Sequence, residues 1–147
     1  MGLDAHAAEA RAFAELGAAA PSLYEDFLRA CRPYERRQHG VYFTPRAVVD
    51  AQVRLVHDVL RAHLECPDGF GDPRVAIIDP ATGSGAYPLA IRDLVGHEAV
   101  QRMSLFETQP GAAALARLHG LPVREEDALT TNLQLTALVP GWFRSVT

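Results

Sequence analysis

The stretch VAIIDPATGSGAYPLA, residues 75–90, decides the fold of this 147-residue chain. A short apolar run ends at an acid and a proline, crosses two glycines and re-enters helix-forming sequence. Val75 to Ile78 is entirely apolar, the mark of a strand buried on both faces. Gly83 and Gly85 let the backbone turn sharply and approach a ligand where a Cβ would clash. A helix is expected from about Tyr87 to Val95. Its N-terminus would offer free N–H groups and a positive dipole end, suited to a carboxylate or a phosphate.

The same alternation continues downstream. Met103 to Phe106 reads as a second buried strand ending at Glu107. Pro110 to His119 reads as a helix with Gly120 as its C′ glycine. Leu121 to Arg124 is a weaker third strand, followed by Glu125, Glu126 and Asp127. Strand, helix, strand, helix, strand implies right-handed crossovers and a parallel α/β sheet. Ligands bind such sheets past the carboxyl ends of the strands, and Asp79, the glycines, Glu107 and Asp127 all gather there. Glu107 lies 22 residues past Gly85, close to the spacing of about 20 for an acid that grips ribose hydroxyls. The site reads as a pocket for a nucleoside-bearing cofactor.

Upstream, residues 4–19 are Ala-rich, with Asp4 as N-cap. Ser22 restarts a helix with Glu25 as its capping-box partner, and that helix stops before Pro33. Thr44-Pro45 reads as a helix start, with Thr as N-cap and Pro at the first helical position. Val49, Val53, Val56, Leu60 and Leu64 then make one apolar face. Arg46, Asp50, Arg54, Asp58 and Arg61 make a solvated face with weak ion pairs. CPDGFGDP, residues 66–73, is a turn-rich loop.

Composition narrows the function. Hydrophobic residues make up 48% of the chain and the net charge is −4, so there is a real core and no global basic field for nucleic acid. All 14 basic residues are Arg, which excludes a P-loop Lys and a Lys nucleophile. Cys31 and Cys66 have no CxxC partner, and the six histidines lack metal spacing, so no metal site is expected. No apolar run approaches the roughly 18 residues of a membrane span, and no signal peptide is evident, so a cytoplasmic protein without membrane contact is expected.

A dinucleotide fingerprint would need a third glycine where GSGAYP has Pro88. The longer string DPATGSGAY, residues 79–87, resembles the S-adenosylmethionine loop of the N6-adenine DNA methyltransferases of restriction–modification systems. GVYFTP at 40–45 resembles the element that precedes that loop, LFETQP at 105–110 the second-strand motif, and EEDAL at 125–129 the third. The resemblance covers about residues 37–130. It divides the chain into an N-terminal helical segment (1–36), a partial cofactor-binding domain (37–130) and a divergent tail (131–147). It implies the first half of a Rossmann-like methyltransferase sheet, with about three parallel strands.

The resemblance also implies roles. Thr44 and the backbone near Phe43 would contact the methionine carboxylate. Asp79, Ala81, Gly83 and Gly85 would frame the methionine and ribose. Glu107 would accept from the ribose hydroxyls. Asp127 would accept from the adenine amine, with Ala128 near the ring. A carboxylate suits each acidic role because it is acceptor-only when ionised. Blander readings stand beside these: a helix cap for Thr44, a solvated loop acid for Glu107, and a charge run with Glu125 and Glu126 for Asp127.

The family's catalytic block, Asn/Asp-Pro-Pro-Tyr/Phe after the fourth strand, does not occur in this sequence. Asn132 is followed by Leu133, and Pro140-Gly141-Trp142-Phe143 lacks the polar group that must hold the amine. The expectation is therefore a truncated, frameshifted or split methyltransferase, with no catalytic residues of its own. Double-stranded DNA becomes its partner once another chain or domain supplies the rest. The alternatives are a non-catalytic remnant or interaction module, and a methyltransferase-like enzyme acting on a small molecule or protein.

Overall fold

The structure, a computed structural model, describes residues 44–130 together with the isolated helical positions Ala8, Ala12 and Asp26. The expected N-terminal helices otherwise lie outside the described residues, as does the tail from residue 131 with Asn132 and Pro140 to Phe143.

Helix α1 spans Arg46–His63. Its start differs from the expectation. Pro45 is the N-cap rather than the first helical residue, at φ −53° and ψ 138°, and no side chain caps the helix. Proline fixes φ at a value shared by helix and extended chain, so ψ alone decides. The Pro45 carbonyl accepts from the N–H groups of Val48 and Val49 at 2.9 and 3.1 Å.

The buried face of α1 is also narrower than its pattern. Val49 and Val53 are buried and Leu60 packs partly against the core. Val56 and Leu64, expected inward, are instead exposed. His57 takes the inward position one residue on, and its Nδ1 accepts from the Phe70 N–H at 3.3 Å. Successive helical residues are about 100° apart, so His57 and Val56 cannot share that line.

The following loop folds around a 3₁₀ turn at Gly69–Gly71. The Arg102 guanidinium donates to the carbonyls of Phe70 (2.8 Å), Gly71 (3.2 Å) and Val75 (3.2 Å), pinning the loop to a second 3₁₀ turn at His97–Arg102.

Three parallel strands form one sheet in the order β1-β2-β3: β1 at Ile77–Asp79, β2 at Met103–Phe106 and β3 at Val123–Arg124. Ile77 pairs with Met103 and Asp79 with Leu105, while Leu105 and Phe106 pair with Val123 and Arg124. The crossovers carry helices α2 (Ala86–Val95) and α3 (Pro110–Leu118). β2 is central, and its Leu105 and Phe106 are fully buried. Leu105 belongs to the core cluster that also holds Val49, Val53, Leu89, Ile91 and Val100.

Two strand expectations are corrected. β1 starts at Ile77, not Val75, and is not buried on both faces: Ile78 is 38% exposed. The reason is position, because β1 is the outer strand of the described sheet. β3 is shorter than Leu121 to Arg124. The Leu121 N–H is used at the end of α3, where it bonds the Ala116 carbonyl while Gly120 (φ 81°) bonds Arg117. That pair of bonds is a Schellman ending. Pro122 then has no N–H to give the ladder.

Candidate functional site

The loop between β1 and α2 crosses the carboxyl end of the central strand and is built from local bonds. Asp79 ends β1, and its Oδ1 accepts from the Ala81 N–H at 3.1 Å. The Thr82 hydroxyl donates to the Asp79 carbonyl at 3.2 Å, and the Thr82 N–H reaches the Phe106 carbonyl at 2.8 Å. The buried Thr82 thus staples the loop to β2. Sequence reading passed over it, although a Thr three residues after an Asp in a turn is itself a side-chain-to-backbone turn signal.

Glu107 is the hinge of the site. It is buried, and both carboxylate oxygens are engaged: Oε2 by the Gly83 N–H and Oε1 by the Gln109 N–H, each at 2.7 Å. Its own N–H bonds the Arg124 carbonyl at 2.9 Å. One residue therefore holds the glycine loop, the turn into α3 and the end of β3 together. This excludes the solvated-acid reading of Glu107.

The two glycines do different jobs. Gly83 has φ 59°, and a Cβ there would meet nothing within 4 Å. Gly85 has φ 95°, and a Cβ there would overlap the Leu121 Cδ1, with Ala116 Cβ at 3.5 Å behind it. Gly83 thus faces open space, whereas a Cβ at Gly85 would have to displace the Leu121 side chain.

Burial, followed by the negative charge of Glu107, holds the Asp79 carboxyl above the ordinary aspartate range; the Ala81 N–H opposes that shift. A raised folded-state value means the associated stability is present at low pH and is lost as pH rises through that value. Ionised Asp79 is therefore a burden on the folded chain at neutral pH. Asp79→Asn, which keeps an oxygen for Ala81, is expected to raise the melting temperature at pH 7. The gain should disappear below the ordinary aspartate value of about 3.9. Melting curves across that range check it. A variant less stable than the parent at pH 7 would contradict this reading.

Asp127 and Ala128 follow β3. Asp127 is exposed, and its Oδ1 accepts from the Leu129 N–H at 2.9 Å. Ala128 is buried beside it. Thr44 is half-buried at the entry to α1, and Phe43 lies outside the described residues. α1 is fastened to α2 by the Tyr87 hydroxyl, which donates to Gln52, and by the Arg46 guanidinium, which donates to Asp93 at 3.2 Å. The structure thus brings Asp79, Ala81, Gly83, Gly85 and Glu107 into one corner, with Asp127 and Ala128 along the same edge of the sheet. Thr44 enters on the helix that braces α2. Gln109 and Leu121 also support the corner, Gln109 through its backbone N–H and Leu121 through packing against Gly85, roles that the sequence reading did not assign.

The family model for N-6 DNA methylases matches residues 19–130. The chain belongs to that family. The match begins inside the segment set apart as 1–36, upstream of the motifs that suggested the resemblance. Among solved structures, the chain is similar to one in a cryo-EM structure of a DrdV–DNA complex, with 25% identity, a TM-score of 0.57 and 67% of this chain covered. It spans 10% of that chain's length. No curated protein matches it. With three parallel strands and their helices in place, the fold is a partial Rossmann-like methyltransferase domain.

Proposed function

We propose that this chain carries the S-adenosylmethionine-binding part of a site-specific adenine-N6 DNA methyltransferase of the restriction–modification type. The observation that carries the reading is the Glu107 carboxylate, held by two backbone N–H groups beside the open side of Gly83. Each carboxylate oxygen has lone pairs beyond the one already used, so a pair of ribose hydroxyls can still donate to it.

The residues present fit the cofactor. Asp79, whose carboxyl is raised by burial and by Glu107, favours a cationic neighbour such as an ammonium or sulfonium. In this reading Asp79, Ala81, Gly83 and Gly85 frame the methionine and ribose, and Glu107 binds the ribose. Asp127 and Ala128 take the adenine, and Thr44 and Phe43 take the methionine carboxylate. When bound, S-adenosylmethionine supplies a methyl group activated by its sulfonium. This chain's residues bind and orient it.

Handling the acceptor base needs a polar group for the amine and an aromatic ring for stacking. The Asn/Asp-Pro-Pro-Tyr/Phe block that supplies both is absent from these 147 residues. We assign it to a further segment of a longer polypeptide or to a second chain, with duplex DNA as partner and the cytoplasm as location. The outer edge of β1 supports this. It pairs with no further strand among the described residues, and Ile78 beside it is exposed.

Thermal unfolding of the 147-residue chain tests the cofactor assignment. A ligand at a hundred times its dissociation constant adds about 2.7 kcal/mol of stability. S-adenosylmethionine is expected to raise the melting temperature, and NAD to leave it unchanged. A rise with NAD alone would overturn the assignment.

A further inference from the structure

Thr82 is 6% exposed, and its hydroxyl, N–H and carbonyl each tie to a different element. The hydroxyl donates to the carbonyl of Asp79, the last residue of β1, at 3.2 Å. The N–H donates to the carbonyl of Phe106, the last residue of β2, at 2.8 Å. The carbonyl accepts from the N–H of Gly85, the N-cap of α2, at 3.0 Å. Two strand ends and a helix entry therefore meet at one residue.

The Phe106 bond bears on Glu107. The peptide unit that joins them is held on both sides, its carbonyl by Thr82 and its N–H by the Arg124 carbonyl at 2.9 Å. One residue along the loop, the Gly83 N–H donates to the Glu107 carboxylate at 2.7 Å. Two successive loop residues thus grip two successive residues at the end of β2. The hydroxyl is the side-chain part of that grip. It closes the turn from Asp79 to Thr82, and a β-branched side chain has few rotamers in which to do so. Valine would fill the same space without a polar group to bury, so packing alone does not call for threonine here.

We propose that Thr82 is a positioning residue for the cofactor: its hydroxyl holds the loop in the form that sets Gly83 against Glu107 before any ligand arrives. This rests on the cofactor reading above. Ordering a loop in advance removes a cost that binding would otherwise carry. The hydroxyl therefore raises affinity by way of Gly83 and Glu107.

Two variants test it. Thr82→Val keeps the shape and removes the hydroxyl, and Thr82→Ser keeps the hydroxyl and removes a methyl. Calorimetric titration with S-adenosylmethionine, well below each melting transition, is expected to show Thr82→Val about tenfold weaker than the parent, the size of one ordinary hydrogen bond. Thr82→Ser is expected to bind within about twofold of the parent, even where the lost methyl makes it the less stable variant. Near-parental affinity in Thr82→Val, or an equal loss in both variants, would overturn the proposal.

Hydrogen exchange in the ligand-free chain reads the same role without any cofactor. The Gly83 amide is expected to exchange about tenfold faster in Thr82→Val than in the parent, with Thr82→Ser close to the parent. The β2 amides should stay protected in all three, which reports that the domain is folded. Equal protection of Gly83 in the parent and Thr82→Val would overturn the proposal whether or not the chain takes up S-adenosylmethionine. A parent that takes up none, with Gly83 released in Thr82→Val as expected, would overturn the cofactor reading and keep the loop-ordering role.

Discussion

Glu107→Ala is expected to weaken S-adenosylmethionine binding by about 100-fold or more and to lower the stability of the chain at the same time. The binding loss would follow from losing the two charge-assisted hydrogen bonds to ribose that the proposed function gives Glu107, each worth about 1.5 kcal/mol or more. The stability loss follows from the apo structure. Alanine would leave the N–H groups of Gly83 and Gln109 without their acceptor. A fully buried unsatisfied donor costs about 1–3 kcal/mol, and these two are part-buried, so the loss lies toward the lower end. Glu107→Gln separates the two effects. It keeps the shape and one acceptor oxygen, but its amide must face one of the two N–H donors. It should be less destabilised than the alanine variant, yet still bind the cofactor poorly. Calorimetry below the melting transition of each variant reads the two terms. Near-parental affinity in Glu107→Ala would show that the carboxylate is only a structural clamp.

The second large effect is a contrast between the two glycines. Gly85→Ala is expected to destabilise the chain by about 2–5 kcal/mol. A left-handed backbone costs a non-glycine residue about 1–2 kcal/mol, and overpacking typically adds about 1–3 kcal/mol. The added Cβ would overlap the buried Leu121, which closes the end of α3. Part of that clash can be relieved by moving the Leu121 side chain, so the double variant Gly85→Ala, Leu121→Ala should lose less than the sum of the two singles. Gly83→Ala meets open space and should cost only the backbone term, about 1–2 kcal/mol. It should instead reduce cofactor affinity, because the new methyl occupies the ligand's side of the loop. Urea unfolding and ligand titration of the two variants should therefore rank them in opposite orders. The same order in both assays would contradict the distinction.

Much of the domain was legible because its signals are local. Met103 to Phe106 reads as a short buried strand, apolar but for Ser104, and it is β2 to the residue. Pro110 and Gly120 bracket α3 as their chemistry requires. The meeting of Asp79, Gly83, Gly85 and Glu107 follows from parallel topology, and order along the chain fixes that. Features set by neighbours were not legible. Val75 to Ile78 reads the same whether one or two strands flank it, so the outer position of β1 was hidden. The apolar arc of α1 is wider than its core contact, so pattern alone could not choose between Val56 and His57. Nothing in GSG says that one glycine faces open space and the other faces Leu121. The bonds that the Glu107 carboxylate accepts from the Gly83 and Gln109 backbones could not be read from its motif.

Isothermal titration of the 147-residue chain with S-adenosylmethionine, run in parallel with Asp79→Asn, tests the central claim most directly. The account predicts saturable one-to-one binding by the parent, and weaker binding by Asp79→Asn even though that variant is the more stable protein at neutral pH. A folded parent chain that takes up no S-adenosylmethionine, or an Asp79→Asn variant that binds it as tightly as the parent, would contradict a cofactor pocket built on this corner.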